Sequence, residues 1–473
     1  MTAVGSRPLS RADRVAVGRR ARRLLPPGEQ GELAPPPDRQ DPVAAALEQA
    51  RTRVPELVPI RHRRMAASPF TFLRGNARGM AGDLAGSPVS GLSAQLCGDA
   101  HLSNFGLFGS AERRLLFDLN DFDETHPGPW EWDLRRLAAS IVVAGRENGF
   151  SRKKRRRAVR RTVRRYRDAM AEFATVSALD VWYAGLDADE LRALASPRLT
   201  GKQRGQVDKA LAKARASDRM KAFAQLVEVV DGRLRIKADP PLVMPLDALL
   251  GDADRDEVMR FVEALLHQYG RTLPSERRVL LQRYELVDLA HKVVGVGSVG
   301  TRCWVVLLRG VDDADPLFLQ VKEAGPSVLA GLVPPAMVPA ESPTNQGERV
   351  VHGQRLMQAA GDIFLGWHRA VGFDGPTRDF YVRQLRDMKG SADIESMTPD
   401  VMVQYGELCG WTLARAHARS GDPIAIAAYV GDDDVLPDAM VRFAEAYADL
   451  NERDHAEFAE AVADGRLPAA PPG

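Results

Sequence analysis

Cys97-Gly98-Asp99-Ala100-His101-Leu102-Ser103-Asn104 is the stretch of this 473-residue chain whose reading decides the fold. Glycine, aspartate and asparagine this closely spaced form a polar loop, not a helix or a strand. An Asp that orients and deprotonates an acceptor, with an Asn five positions later reaching back to a magnesium ion, is the arrangement that phosphoryl transfer to a hydroxyl needs. Alone, Asp-x-x-x-x-Asn is a weak signal, because both residues also cap loops without doing chemistry. His101 joins Asp99 as a catalytic candidate. Its place two residues after the Asp favours the other reading, a brace that holds the loop through hydrogen bonds.

Working outward, the apolar run from Leu115 to Leu119 reads as a strand that delivers Asn120-Asp121-Phe122-Asp123 close behind Asn104. Asp121 is placed to bridge magnesium and nucleotide phosphates, with Asn104 and Asp123 as further ligands. Counting Asp118, the carboxylates repel one another by roughly several kcal/mol unless a cation or hydrogen-bond donors neutralise them. A divalent metal is the simplest neutraliser; an acidic loop open to water is the other reading.

A third element lies far downstream. Val294-Gly295-Val296-Gly297-Ser298-Val299-Gly300 falls between two expected strands, and a further strand, Phe318-Leu319-Gln320-Val321-Lys322, follows. A dinucleotide site needs a helix after the glycines, so a strand there argues for a phosphate-covering hairpin. Gly295, Gly297, Gly300 and Lys322 then hold ATP phosphates, and Glu348, opening the next helix, is the candidate ion-pair partner of Lys322. A strand-end lysine reaching into water is the bland alternative, outweighed by the Asp99, Asn104 and Asp121 set in the same chain.

The remaining sequence sets limits. A formal charge of +2 argues against nucleic acid or an anionic membrane as a general partner. The basic run Arg152 to Arg157 opens an amphipathic helix and reads as a solvated face. Cys97, Cys303 and Cys409 lie too far apart for a disulfide framework or a zinc site, which points to the cytoplasm. No apolar run approaches the roughly 18 residues of a membrane span, and the first residues lack the apolar core of a secretory signal. At this length two packed units are expected.

With these motifs on the page, Gly98-Asp99-Ala100-His101-Leu102-Ser103-Asn104, Asp121-Phe122-Asp123 and Asp133-Leu134 resemble the aminoglycoside phosphotransferase and choline kinase branch of the protein-kinase-like superfamily. More of the chain is similar to an uncharacterised bacterial family, domain of unknown function 2252. That likeness rests on Arg64-Met65, Ser68-Pro69-Phe70, the Cys97 loop through Gly106, Phe117 to Thr125, Pro129 to Asp133 and Ala414 to Asp422. Cys97 stands where the phosphotransferases carry His, and Arg302 stands where kinases carry a Val against adenine. The glycine loop and Lys322 also follow the catalytic loop instead of preceding it.

The resemblance implies an α+β, bilobal, protein-kinase-like fold, circularly permuted, with a large helical lobe and a small β-rich lobe. Residues 1–42 are expected as a flexible arm, 43–283 as the helical lobe with the catalytic and metal loops, 284–390 as the nucleotide-binding lobe, and 391–473 as helices returning to the large lobe. The expected activity is an ATP- and Mg2+-dependent phosphotransferase acting on a small-molecule or protein acceptor. A non-catalytic nucleotide-binding module, a metal-dependent phosphohydrolase built on Asp118, Asp121, Asp123 and His101, and transfer of AMP are the alternatives.

Overall fold

Helices dominate where apolar residues recur at helical spacing, and strands appear where β-branched residues cluster between glycines. The computed structural model describes residues 9–195, 201–217, 219–249, 255–293, 295–297, 299–372, 375–385 and 388–470. The chain is mixed α+β with antiparallel sheets. Among the described residues no helix is long and apolar enough to cross a membrane.

The helical part is built on four long helices, Trp130–Glu147, Arg152–Phe173, Pro399–Ser420 and Val435–Ala463. Leu134, Leu137, Ile141, Val159, Val163 and Tyr166 all have zero exposure and form the stripe between them. Burying each such aliphatic side chain contributes about 1.5–3 kcal/mol. Helices Arg152–Phe173 and Pro399–Ser420 cross at backbone contact. A Cβ on Gly410 would lie 2.4 Å from the Thr162 carbonyl oxygen, so only glycine allows this approach.

Residues 9–42 differ from the expected arm. Helix Arg11–Leu24 opens on a Ser10–Asp13 capping box and lies against helix Pro423–Val430. Arg22 donates to the carbonyls of Tyr429 and Val430, and buried Gln30 donates to the Tyr429 hydroxyl. Residues 1–8 lie outside the described residues. Between Pro69 and Ala85 the chain forms two short helices, Pro69–Gly75 and Ala77–Ala85. Asn76 ends the first and caps the second, its Oδ1 accepting from Gly79 N–H. The Arg152 to Arg157 run does open a helix, yet that helix's arginines meet carboxylates of the two C-terminal helices: Arg157 with Asp400, Arg160 with Asp438 and Arg161 with Glu407.

The β-rich part centres on a six-stranded antiparallel sheet. Its order is Gly366–Val371, Thr377–Gln384, Pro316–Ala324, Cys303–Arg309, Glu285–Lys292 and Val243–Pro245. The edge strand, Val243–Pro245, comes from within the region 43–283 expected as the helical lobe. The same region holds a hairpin, Val227–Val230 with Arg233–Ile236, turning on Asp231-Gly232, both at positive φ. An Asp-Gly pair between apolar runs is the turn chemistry that helical periodicity overlooked. Helix Gln346–Met357 packs on strands Gly366–Val371 and Thr377–Gln384, and its Val350, Val351 and Met357 join the core of the helical part. A smaller sheet pairs Phe105–Gly109 with Leu115–Leu119, flanked by Gly390–Ser391 and Leu186–Asp187.

Candidate functional site

The loop after strand Ser93–Leu96 is held from below. Gly98 turns at φ +81°, and a Cβ there would meet the Glu124 carbonyl oxygen at 2.2 Å. Asp133, in the first turn of helix Trp130–Glu147, accepts from the N–H groups of Cys97 at 2.8 Å and Gly98 at 3.1 Å. His417 stands 3.4 Å from the same carboxylate and is hydrogen-bonded to Tyr166 through its other nitrogen. The Asp133 carboxylate thereby braces the loop. Burial pushes the Cys97 thiol well up, which leaves it un-ionised and inert.

Asn104 joins the two polar loops. Its Nδ2 donates to the carbonyls of Asp99 and Asp121, each at 3.0 Å, and its Oδ1 accepts from Asp121 N–H at 2.7 Å. Asp99 is gripped on one side by Arg136, whose Nη2 lies 2.5 Å away and whose side chain is buried. The His101 Nε2 is 3.6 Å from the other Asp99 oxygen, and the His101 Nδ1 is buried with no hydrogen-bond partner. Burial takes His101 down to about 4 against the pull of Asp99, so the imidazole is neutral at pH 7.

Lys322 arrives from strand Pro316–Ala324 with its side chain buried. Its ammonium pairs with Asp123 and lies 3.9 Å from Asp121 Oδ2. Tyr381, opposite Lys322 in the sheet, donates to the second Asp123 oxygen at 2.7 Å. Desolvation pulls the Asp121 carboxyl upward, but Lys322 and Arg383 outweigh it and hold the group below its ordinary value. Asp121, 45% exposed, faces the cleft.

Glu348 does not meet Lys322. It lies 3.7 Å from His352, one turn along its own helix. Successive helical residues point about 100° apart, and it is Arg349 that turns inward. Its guanidinium donates to the carbonyls of Thr125, Asp123 and Gly325. Lys322 is balanced instead by Asp121 and Asp123. Asp118 also leaves the expected acidic cluster: fully buried, it pairs with Arg415 and accepts from Ala359 N–H. The phosphohydrolase alternative thereby loses one of its carboxylates.

Gly295 and Gly300 take positive φ, and Val294 and Ser298 of this loop lie outside the described residues. Arg64 donates to the Gly295 carbonyl and Arg53 to the Val299 carbonyl, each at 2.5 Å, so the loop is tied down to the N-terminal helices. Beneath it lies a cavity of about 500 Å³ bordered by Asp99, Asn104, Asp121, Gly295 and Gly297. Lys322 and Gly295 also border a neighbouring chamber of about 350 Å³. Sequence reasoning missed Arg136, Arg349, Arg383 and Glu124. Burial raises Glu124, on the cavity wall, to about 7, within the working range of a general acid or base.

The residues present fit magnesium. The ion takes one or two carboxylates and keeps waters and phosphates for its other positions, and Asn104, Asp121 and Asp123 all border the cavity, the Asp123 oxygens facing Lys322 and Tyr381. Among the described residues no trio of His, Cys, Asp and Glu forms a metal cage, so any ion here would depend on Asn104, water or substrate oxygens as well.

Compared with known proteins, the chain matches no curated protein and no solved structure. One family model, described as an uncharacterized protein conserved in bacteria (DUF2252), matches residues 53–461, and the chain belongs to that family.

Proposed function

We propose that this chain is an ATP- and magnesium-dependent phosphotransferase with a permuted, kinase-like bilobal architecture, working in the cytoplasm on a small-molecule or protein acceptor. The observation that carries this reading is the approach of Lys322 to Asp121 and Asp123, beside Asn104 and under the glycine hairpin. Nothing in chain order forces these segments together, and phosphoryl transfer needs a lysine, a metal carboxylate and an acceptor-orienting Asp around one cleft. The glycine-hairpin strands Glu285–Lys292 and Cys303–Arg309 pair with each other, and Cys303–Arg309 pairs with the Lys322 strand, which is consistent with a small lobe inserted after the catalytic loop.

In this reading Gly295, Gly297, Gly300 and Lys322 meet the phosphates, and Asn104, Asp121 and Asp123 hold magnesium, which neutralises charge on the phosphoryl oxygens. Asp99 positions the acceptor hydroxyl and takes its proton as the new phosphorus–oxygen bond forms and ADP leaves. His101, neutral at pH 7, adds no charge beside Asp99. Buried, unpaired Cys97, Cys303 and Cys409 fit a reducing compartment.

An ATP-consumption assay tests the reading. Asp99→Asn is expected to abolish transfer while keeping nucleotide binding, and Lys322→Met to weaken binding; full activity in both variants would sink it. A non-catalytic nucleotide-binding module is the second reading, favoured by the grip of Arg136 on Asp99. Thermal stabilisation by ATP and magnesium without turnover supports that reading instead.

A further inference from the structure

The chamber of about 350 Å³ beyond Asp121 has a chemistry of its own. Side chains two apart on a strand share a face, about 6.6 Å from one another, so Gln320 continues the Lys322 face of strand Pro316–Ala324. Gln320 is opposite Arg383 in the sheet, and the Arg383 Nε donates to its Oε1 at 2.9 Å. The Arg383 Nη1 donates to the Asn120 carbonyl at 3.2 Å, which fixes the guanidinium between the sheet and the metal loop.

Charge in the chamber is unequal. Lys292, Lys322, Arg383 and Lys389 border it, against the carboxylates of Asp121 and Asp362. Asp362 is occupied by backbone, its oxygens accepting from Phe364 and Gln384 N–H groups. Gln354 and Gln358 make the opposite wall polar, the Gln358 amide donating to the Leu119 carbonyl. Such walls desolvate an uncharged ring poorly, because buried cations and amides keep their stability only with polar partners. They suit oxygens carrying negative charge, for which arginine and lysine supply strong charge-assisted hydrogen bonds.

We propose that this inner chamber is an anion subsite that seats phosphate groups of a polyphosphate on Arg383, Lys389 and Lys292, next to Lys322. The inference rests on the reading of the cleft as a nucleotide site and specifies which part of the ligand enters its depth. The same chemistry is offered by the phosphates of a nucleotide and by inorganic polyphosphate.

Titration calorimetry on the full chain with magnesium, using ATP, sodium triphosphate and adenosine, separates the cases. ATP and triphosphate are expected to bind and adenosine to fail. Arg383→Gln and, independently, Lys389→Gln are each expected to weaken triphosphate binding by roughly tenfold or more; the second variant serves if the first does not fold. Triphosphate binding unchanged in either folded variant, or adenosine binding as tightly as ATP, overturns the subsite. ATP binding without triphosphate binding overturns the subsite and leaves the nucleotide reading standing. Binding of triphosphate alone supports the subsite, with inorganic polyphosphate as its ligand, and overturns the role of ATP. Binding of neither overturns both.

Discussion

The Lys322 ammonium, on the third strand from one edge of the six-stranded sheet, lies 3.9 Å from the carboxylate of Asp121 at the end of strand Leu115–Leu119. It pairs at the same time with Asp123, 199 residues away in the chain. Removing it leaves two carboxylates facing each other. Lys322→Met is expected to cost about 2 kcal/mol, less than a fully buried pair because Asp121 is half exposed. Magnesium should stabilise the variant more than the parent, since the ion replaces the lost cation. Thermal melting with and without magnesium chloride checks this, and equal magnesium effects on both proteins count against the metal assignment.

Asp133 supports the loop from Cys97 to Asn104 through two backbone N–H groups and stands beside His417. Asp133→Leu orphans both buried donors, at a cost of about 1–3 kcal/mol for each. The expected result is a melting temperature several degrees lower, together with lost ATP turnover. A variant that melts like the parent shows that the brace is dispensable.

Close approach at Gly410 predicts an asymmetric pair of substitutions. Gly410→Ala drives a Cβ to within 2.4 Å of the Thr162 carbonyl and is expected to cost roughly 1–3 kcal/mol as the helices separate. Gly325→Ala, where a Cβ meets nothing within 4 Å, should stay within about 0.5 kcal/mol of the parent. Urea unfolding of the two variants ranks them, and the reverse order would contradict the helix crossing.

Acid should destabilise the protein through its buried histidines. Burial takes His368, stacked on Phe380, from 6.5 down to about 4. A group with a depressed folded value contributes stability that is complete above 6.5 and is lost as pH falls toward 4, because only the unfolded chain then binds the proton. His368→Gln should therefore lose roughly 3 kcal/mol less than the parent between pH 7 and pH 4. Unfolding free energies at the two pH values measure the difference; identical losses would place the acid sensitivity elsewhere.

Much of this site was legible in local patterns. The Asp99-to-Asn104 spacing, the carboxylates behind a short strand and the hairpin ahead of a lysine strand each depend on residues close in sequence. The misreadings also have local causes. Glu348 is expected beside Lys322 because a charge sign can be read from sequence, whereas the helix rotation that turns Arg349 inward instead cannot. Asp118 looked like a member of the acidic cluster because strand alternation gives two faces without saying which one Arg415 covers. The Asp231-Gly232 hairpin carried its own turn signal, and helical periodicity on either side hid it.

By itself the sequence determined the α+β class, the polar loop around Gly98 and the residue types able to hold phosphate and metal, since these follow from backbone preference and side-chain chemistry. Tertiary structure alone decided that Lys322 meets Asp121 and Asp123, that Arg136 grips Asp99, and that residues 9–42 lie packed on the helical part. Those contacts join residues far apart in the chain, where sheet register and helix packing, not local propensity, choose the neighbours.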